Sequence, residues 1–165
     1  MRTESISWIE RLNEYEINSI KKYSFNGVDP NGEKLFFKLN KYIEGNYLPS
    51  NNIEENILER MYANIKNALL KSRTREDIII YRRDGTPNLL EGKLEIFLST
   101  SVTQKGVFKG KPNVAIIASK NTSGAYIENL SSIPKQREFL INVGTKLRKI
   151  YSEKSFTLYE VIINE

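Results

Sequence analysis

Residues 77–83 read "DIIIYRR", and the chain changes character there. Three consecutive isoleucines are branched at Cβ, which crowds a helix and suits a pleated strand. Before this stretch, apolar residues recur at helical spacing. "RLNEYEINSIKKYS" (11–24) carries Leu12, Ile17 and Ile20, and opens on Asn13 with Glu16 three residues later, the capping-box pattern. "NGEKLFFKLNKYIEG" (31–45) follows the turn "GVDPNG" (27–32) and stops at Gly45, a residue suited to the left-handed position past a helix end. "NNIEENILERMYANIKNALLKS" (51–72) aligns Ile57, Leu58, Met61, Ile65 and Leu69 in one stripe. After residue 77 the runs are short and β-rich: "KLEIFLSTS" (93–101), "NVAIIAS" (113–119), "EFLINVG" (138–144), "KLRKIYS" (146–152) and "FTLYEVIIN" (156–164). The last two flank "EKS" (153–155), a hairpin signal. Helices first and strands afterwards predict an α+β fold, not alternating α/β. The expectation is one domain over 1–165, with its helices within residues 1–72 and its strands within residues 77–164.

Composition narrows the chemistry. The chain has 165 residues, 39% apolar and 27% charged, an ordinary globular balance. No apolar run approaches the ~20 residues of a membrane span, and the first residues lack the apolar stretch of a secretion signal. The sequence therefore reads as cytoplasmic at synthesis, or as a piece of something larger. It contains no Cys, which excludes disulfides and thiolate metal sites, and no His, which excludes every Ser-His triad. Chemistry here must run on carboxylates, Arg, Lys, Tyr or Ser. A net charge of +5 and a pI near 9.3 suit an anionic partner such as nucleic acid or phosphate.

Three polar islands stand at the ends of the β-rich runs. In the first, a strand that buries Ile78 and Ile80 delivers Arg82 and Arg83 just after Tyr81, and a guanidinium is a planar fork of donors for an anion. In the second, Ser99, Thr100 and Ser101 present three successive hydroxyls. These could cap backbone, orient a carboxylate or hydrogen-bond a ribose. In the third, Gln136 and Glu138 stand two residues apart where a strand begins, so in extended backbone they project to one face with Arg137 on the other.

Arg after a hydrophobic-Tyr strand, then Ser-Thr-Ser, then Gln-x-Glu resembles the Arg/Ser-Thr-Ser/Glu class of mono-ADP-ribosyltransferase toxins. It is similar to clostridial Rho-modifying exoenzymes and to the enzymatic components of binary actin-modifying and vegetative insecticidal toxins. "LNKYIEGN" (39–46) resembles the family's helix near the cofactor, and "FKGKP" (108–112) its phosphate–nicotinamide loop. "SGAYIENLSSIPKQRE" (123–138) resembles the lead into its toxin-turn loop. The likeness spans about residues 8 to 163. It implies helices packed on a mixed β-sandwich core and NAD as a co-substrate, with no metal. The reaction breaks the bond between nicotinamide and ribose, and a carboxylate stabilises the positive charge that develops on the sugar, as in glycoside hydrolysis.

The resemblance also implies roles. Glu138 is the catalytic carboxylate, Ser99 holds it, and Gln136 addresses the acceptor. Arg82 binds the pyrophosphate in preference to Arg83. Thr100 and Ser101 sit beside the cofactor, Phe108 stacks on the nicotinamide, and Asn40 touches the adenosine side. Two positions depart from the family pattern. Glu44 stands where an Arg four residues after the helix Asn contacts phosphate, leaving Arg82, Arg83 or Lys41 to neutralise the pyrophosphate. Ile133 stands where the loop usually carries an aromatic that helps grip Rho.

In this class Glu-x-Glu accompanies arginine modification, whereas Gln-x-Glu accompanies asparagine or nucleobases. An arginine acceptor calls for a second carboxylate, while a Gln amide can hold an amide or a base amino group. Arginine is thus disfavoured, and a nucleic-acid base stands slightly ahead of a protein Asn. Such an enzyme in its own cytoplasm would need an antitoxin or immunity protein, and toxin–antitoxin, phage-defence or delivery into another cell all fit. The alternatives are an NAD glycohydrolase using the same site, and a non-catalytic basic module binding nucleic acid through "KGVFKGKP" (105–112) and "KLRKIYSEK" (146–154).

Overall fold

The computed structural model describes residues 1–25, 34–107, 110–131 and 137–163. Four helices come first: α1 (Arg2–Glu10), α2 (Glu14–Ser24), α3 (Leu35–Ile43) and α4 (Asn52–Leu70). The start of α2 is a complete capping box: Glu16 N–H donates to Asn13 Oδ1 at 2.8 Å, and Asn13 N–H to Glu16 Oε1 at 2.9 Å. Helix α3 ends as its glycine suggests. Gly45 has φ +82°, its N–H reaches the Tyr42 carbonyl, and the Asn46 N–H reaches the Lys41 carbonyl at 2.7 Å, a Schellman closure. On α4, Leu58, Met61, Ile65 and Leu69 are buried as the stripe predicts, with Ala68 beside them. Ile57 is not: it is 53% exposed, lying one step off the inner face. Helix α1 has no clear apolar periodicity, and what seats it is Trp8, whose indole N–H donates to the Ala68 carbonyl at 2.8 Å.

Eight strands follow: β1 (Ile78–Arg82), β2 (Gly92–Lys93), β3 (Leu98–Ser101), β4 (Val114–Ala118), β5 (Gly124–Tyr126), β6 (Glu138–Ile141), β7 (Lys146–Glu153) and β8 (Phe156–Ile162). The run 93–101 is therefore two strands, because Leu94–Phe97 leaves the ladder between β2 and β3. All eight join one sheet in the order β2-β7-β8-β4-β1-β3-β6-β5, with β4 and β8 parallel and every other pair antiparallel. The sandwich core forms because this sheet folds on itself. Leu98, Phe139 and Ile141 on one half pack in the same buried cluster as Val114, Ile116, Tyr159 and Val161 on the other. A second cluster lies between helices and sheet, where Trp8, Ile20, Leu39, Leu58 and Ile65 meet Phe97 and Leu140. Gly124 lets the edge strand β5 lie close, since a Cβ there would stand 2.7 Å from the Leu140 carbonyl oxygen.

The two half-sheets share little ladder. Strand β1 pairs with β4 over five residues, from Ile78↔Ala118 to Arg82↔Val114, but meets β3 at the single pair Tyr81↔Ser101. That seam is where the polar islands converge.

Candidate active site

Strand alternation decides which side chains meet at the seam. In β3, Ser99 and Ser101 share a face with Phe97, the face that looks at the helices, while Thr100 turns with Leu98 into the β core. Glu138 opens β6 directly across from Ser101, and Leu140 lies across from Ser99. Glu138 is thus on the helix-facing side, 5% exposed, and accepts a hydrogen bond from the Ser99 hydroxyl. Burial raises its carboxyl above its ordinary value, while the Ser99 hydrogen bond and the Arg82 charge pull the other way.

Two helical side chains reach down to the same place. Tyr23 on α2 is 3% exposed, with its ring edge-on to Phe97 at 6.0 Å between centroids. Burial, and after it the charge of Glu138, push the Tyr23 hydroxyl up, with an opposing hydrogen bond from Asn40. Asn40 Nδ2 donates to that hydroxyl at 3.0 Å. Its Oδ1 is buried and has no partner among the described residues, an acceptor awaiting a donor.

Arg82 comes from the other half-sheet. Ile80 is fully buried, and two residues later the guanidinium donates through Nη1 to the Ser99 carbonyl at 2.8 Å. Through Nε it donates to Asp84 Oδ2 at 2.6 Å. Burial works to raise the Asp84 carboxyl, but Arg82 and the Thr86 donors outweigh it and hold it below its ordinary value. Arg83 points elsewhere: its guanidinium donates to the Lys111 carbonyl at 3.1 Å.

The structure thus brings Arg82, Ser99, Glu138 and Asn40 together. It does not bring Thr100, expected beside the cofactor: its hydroxyl donates to the Phe139 carbonyl at 2.6 Å on the opposite face, because it is the middle residue of an alternating triplet. Ser101 is 3% exposed and its hydroxyl accepts from the Thr103 N–H at 3.2 Å. Gln136, Phe108 and Ile133 lie outside the described residues. The expectation that Gln136 and Glu138 share a strand face needs extended backbone at Arg137, and Arg137 instead has φ +45°, so the alternation begins only at Glu138. Glu44 caps the far end of α3 and borders a separate cleft of about 760 Å³ whose lining includes Lys93, Asn142 and Lys146 but none of Arg82, Ser99 or Glu138. Tyr23 and Asp84 were missed by sequence reasoning. No motif marks either one, and the partners that place them, Asn40 and Asn113, lie 17 and 29 residues away along the chain.

Among the described residues no helix is long and apolar enough to cross a membrane, and no group of three or more His, Cys, Asp or Glu could hold a metal ion.

Comparison with known proteins shows what this chain is similar to. Residues 90–164 match the family model described as ADP-ribosyltransferase exoenzyme. A protein named NAD(+)--arginine ADP-ribosyltransferase EFV, from Enterococcus faecalis, is 28% identical, the match covering 88% of this chain and 31% of that protein. The chain therefore spans about a third of the length of this curated relative. Among solved structures, Plx2a, an ADP-ribosyltransferase toxin from Paenibacillus larvae, superposes with a TM-score of 0.69 at 20% identity, covering 98% of this chain and 92% of that one. BECa, the ADP-ribosylating toxin of a C. perfringens binary enterotoxin, gives 0.71 at 20% identity over 97% of this chain and 46% of its own. At such identities the structural likenesses establish the fold.

Proposed function

We propose, from the match of residues 90–164 to the ADP-ribosyltransferase exoenzyme family model, that the chain is an NAD-dependent mono-ADP-ribosyltransferase of the toxin class. The observation that carries the proposal is Glu138, a buried carboxylate whose pKa is raised by desolvation, which accepts from the Ser99 hydroxyl and feels the Arg82 charge. When bound, NAD supplies a nicotinamide–ribose bond whose cleavage leaves positive charge on the sugar. A desolvated carboxylate stabilises such charge far better than a solvated one, because little water is present to screen it. The Ser99 hydroxyl fixes the carboxylate's direction. Arg82 offers the pyrophosphate the edge of its guanidinium not already engaged. The unpartnered Asn40 Oδ1 suits a ribose hydroxyl or base amino group.

For the acceptor, Gln136 disfavours arginine, while the net charge of +5 and Ile133 in place of a loop aromatic put a nucleic-acid base slightly ahead of a protein Asn. The Enterococcus faecalis relative has arginine in its name, so arginine belongs in the test. The chain is incubated with labelled NAD and whole-cell lysate, split into protease-treated and nuclease-treated halves, with an arginine analogue as a third arm. Label lost to nuclease supports a base, and label lost to protease supports a side chain. Label on the arginine analogue overturns the reading of Gln136. Nicotinamide release without any label indicates a glycohydrolase, and no release at all indicates a non-catalytic module. Gln136→Ala should remove labelling and leave NAD hydrolysis largely intact, since water needs no positioning partner. Parallel loss of both activities would refute the acceptor role.

A further inference from the structure

Arg82 is gripped from behind by a carboxylate that is itself gripped. Asp84 is 9% exposed, and both its oxygens are engaged: Oδ2 by Arg82 Nε at 2.6 Å, Oδ1 by the Thr86 N–H at 2.8 Å and the Thr86 hydroxyl at 3.2 Å. Its main chain is locked by one amide. The Asp84 N–H donates to Asn113 Oδ1 at 2.8 Å, and Asn113 Nδ2 donates back to the Asp84 carbonyl at 2.8 Å. Asn113 is fixed in turn, since its N–H donates to the Arg82 carbonyl at 3.1 Å and its carbonyl accepts from Thr157 at 3.0 Å.

We infer that Asp84, clamped by Asn113, is a positioning residue that aims Arg82 at the NAD pyrophosphate; the inference rests on the NAD-dependent reading above. A guanidinium is rigid and planar, so holding Nε on Asp84 and Nη1 on the Ser99 carbonyl fixes its plane and leaves the Nη2 edge, which has no partner among the described residues, as the edge that faces a ligand. Charge alone would not favour this arrangement. A carboxylate beside the arginine cancels some of its attraction for phosphate, so the gain must come from direction: a preset fork loses less freedom on binding than a free side chain does. Asp84 itself has no free oxygen with which to act as a base on the acceptor.

The two contributions have opposite signs, which makes the inference testable. Asp84→Asn removes the charge, keeps the shape and loses the acceptor for Thr86 or Arg82. If aim dominates, the dissociation constant and KM for NAD rise about tenfold, the size of one weakened charge-assisted contact, while kcat changes less than about threefold. In an Arg82→Ala background the same substitution should change neither. Asn113→Ala, which leaves the carboxylate in place, should raise KM in the same direction by less, and thermal melts report whether each variant is folded. The Arg82 Nε–H signal in ¹⁵N spectra of the ligand-free chain should be protected from exchange and lose that protection in Asp84→Asn. Tighter NAD binding by Asp84→Asn, equal binding, or a full additional effect in the Arg82→Ala background would each overturn the clamp. A native chain that binds no NAD overturns the parent reading instead, and is told apart because the failure then precedes any substitution.

Discussion

Among the described residues two glutamates are almost wholly out of water, Glu16 at the start of α2 and Glu138 at the start of β6, 2% and 5% exposed. Glu16 is surrounded by donors: it accepts the Asn13 N–H in the capping box and lies 2.8 Å from the Lys71 ammonium. Among the described residues Glu138 accepts from one hydroxyl, and the cation that pulls on it is already engaged by Asp84 and by a backbone carbonyl. A buried charge normally survives by being paired. The first region obeys that rule and holds the fold. The second departs from it, and the departure lies where the chemistry is proposed.

The sharpest way to break this contrast is Glu138→Gln. It keeps the shape and removes the charge, so nicotinamide release should fall at least ~10²-fold. Stability should move the other way. Because the folded carboxyl titrates above its unfolded value, its ionisation weakens the fold: the favourable contribution is complete below the unfolded value and is lost as pH rises through the folded one. The Gln variant should therefore melt higher than the native chain at neutral pH and lose that advantage in acid. Glu138→Gln melting lower at neutral pH would mean the carboxylate is structural after all.

Next in size is Arg82→Ala, expected to raise the NAD concentration needed for half-maximal release by about 10–100-fold, as for a charge-assisted phosphate contact of roughly 1.5–3 kcal/mol. Arg83→Ala, whose side chain reaches only the Lys111 carbonyl, should do much less. Ser99→Ala should lower kcat by a smaller factor with little change in KM. Since the Ser99 hydrogen bond favours the ionised Glu138, its loss should also move the acid limb of the pH–rate profile to higher pH. A limb that stays in place would separate Ser99 from Glu138. The smallest effect on chemistry belongs to Glu16→Ala, which should cost about 1 kcal/mol in a urea titration as a lost helix-start cap and leave turnover per folded molecule unchanged.

The capping box at Asn13, the glycine stop at Gly45 and the stripe on α4 were legible because each is a local device written in a few adjacent residues. The convergence of Arg82, Ser99 and Glu138 was legible only through resemblance, since three separate strands supply them. What escaped depends on pairing. Thr100 looked equivalent to its serine neighbours until its ladder partner Phe139 put it on the far face. The alternation argument at Gln136 presumed extended backbone and met a left-handed residue at Arg137. Asp84 could not be recognised as a partner of Arg82 without Asn113, 29 residues away, to hold it.

The single ladder pair between the half-sheets, Tyr81↔Ser101, has a bearing on how the molecule comes apart. Sheets resist shear in proportion to the rungs between neighbouring strands, and here a five-rung junction with β4 stands on one side of β1 and one rung on the other. Opening should start along that line, separating β3, β6 and β5 from the rest before either half melts, so amide protons near Ser101 should exchange sooner than those of β4. The Arg82 guanidinium, bonded to β1 by its own chain and to β3 through the Ser99 carbonyl, is a side-chain rivet over the same gap. A dinucleotide seated there would bridge both halves, and would slow exchange across the whole junction in addition to protecting the atoms it touches.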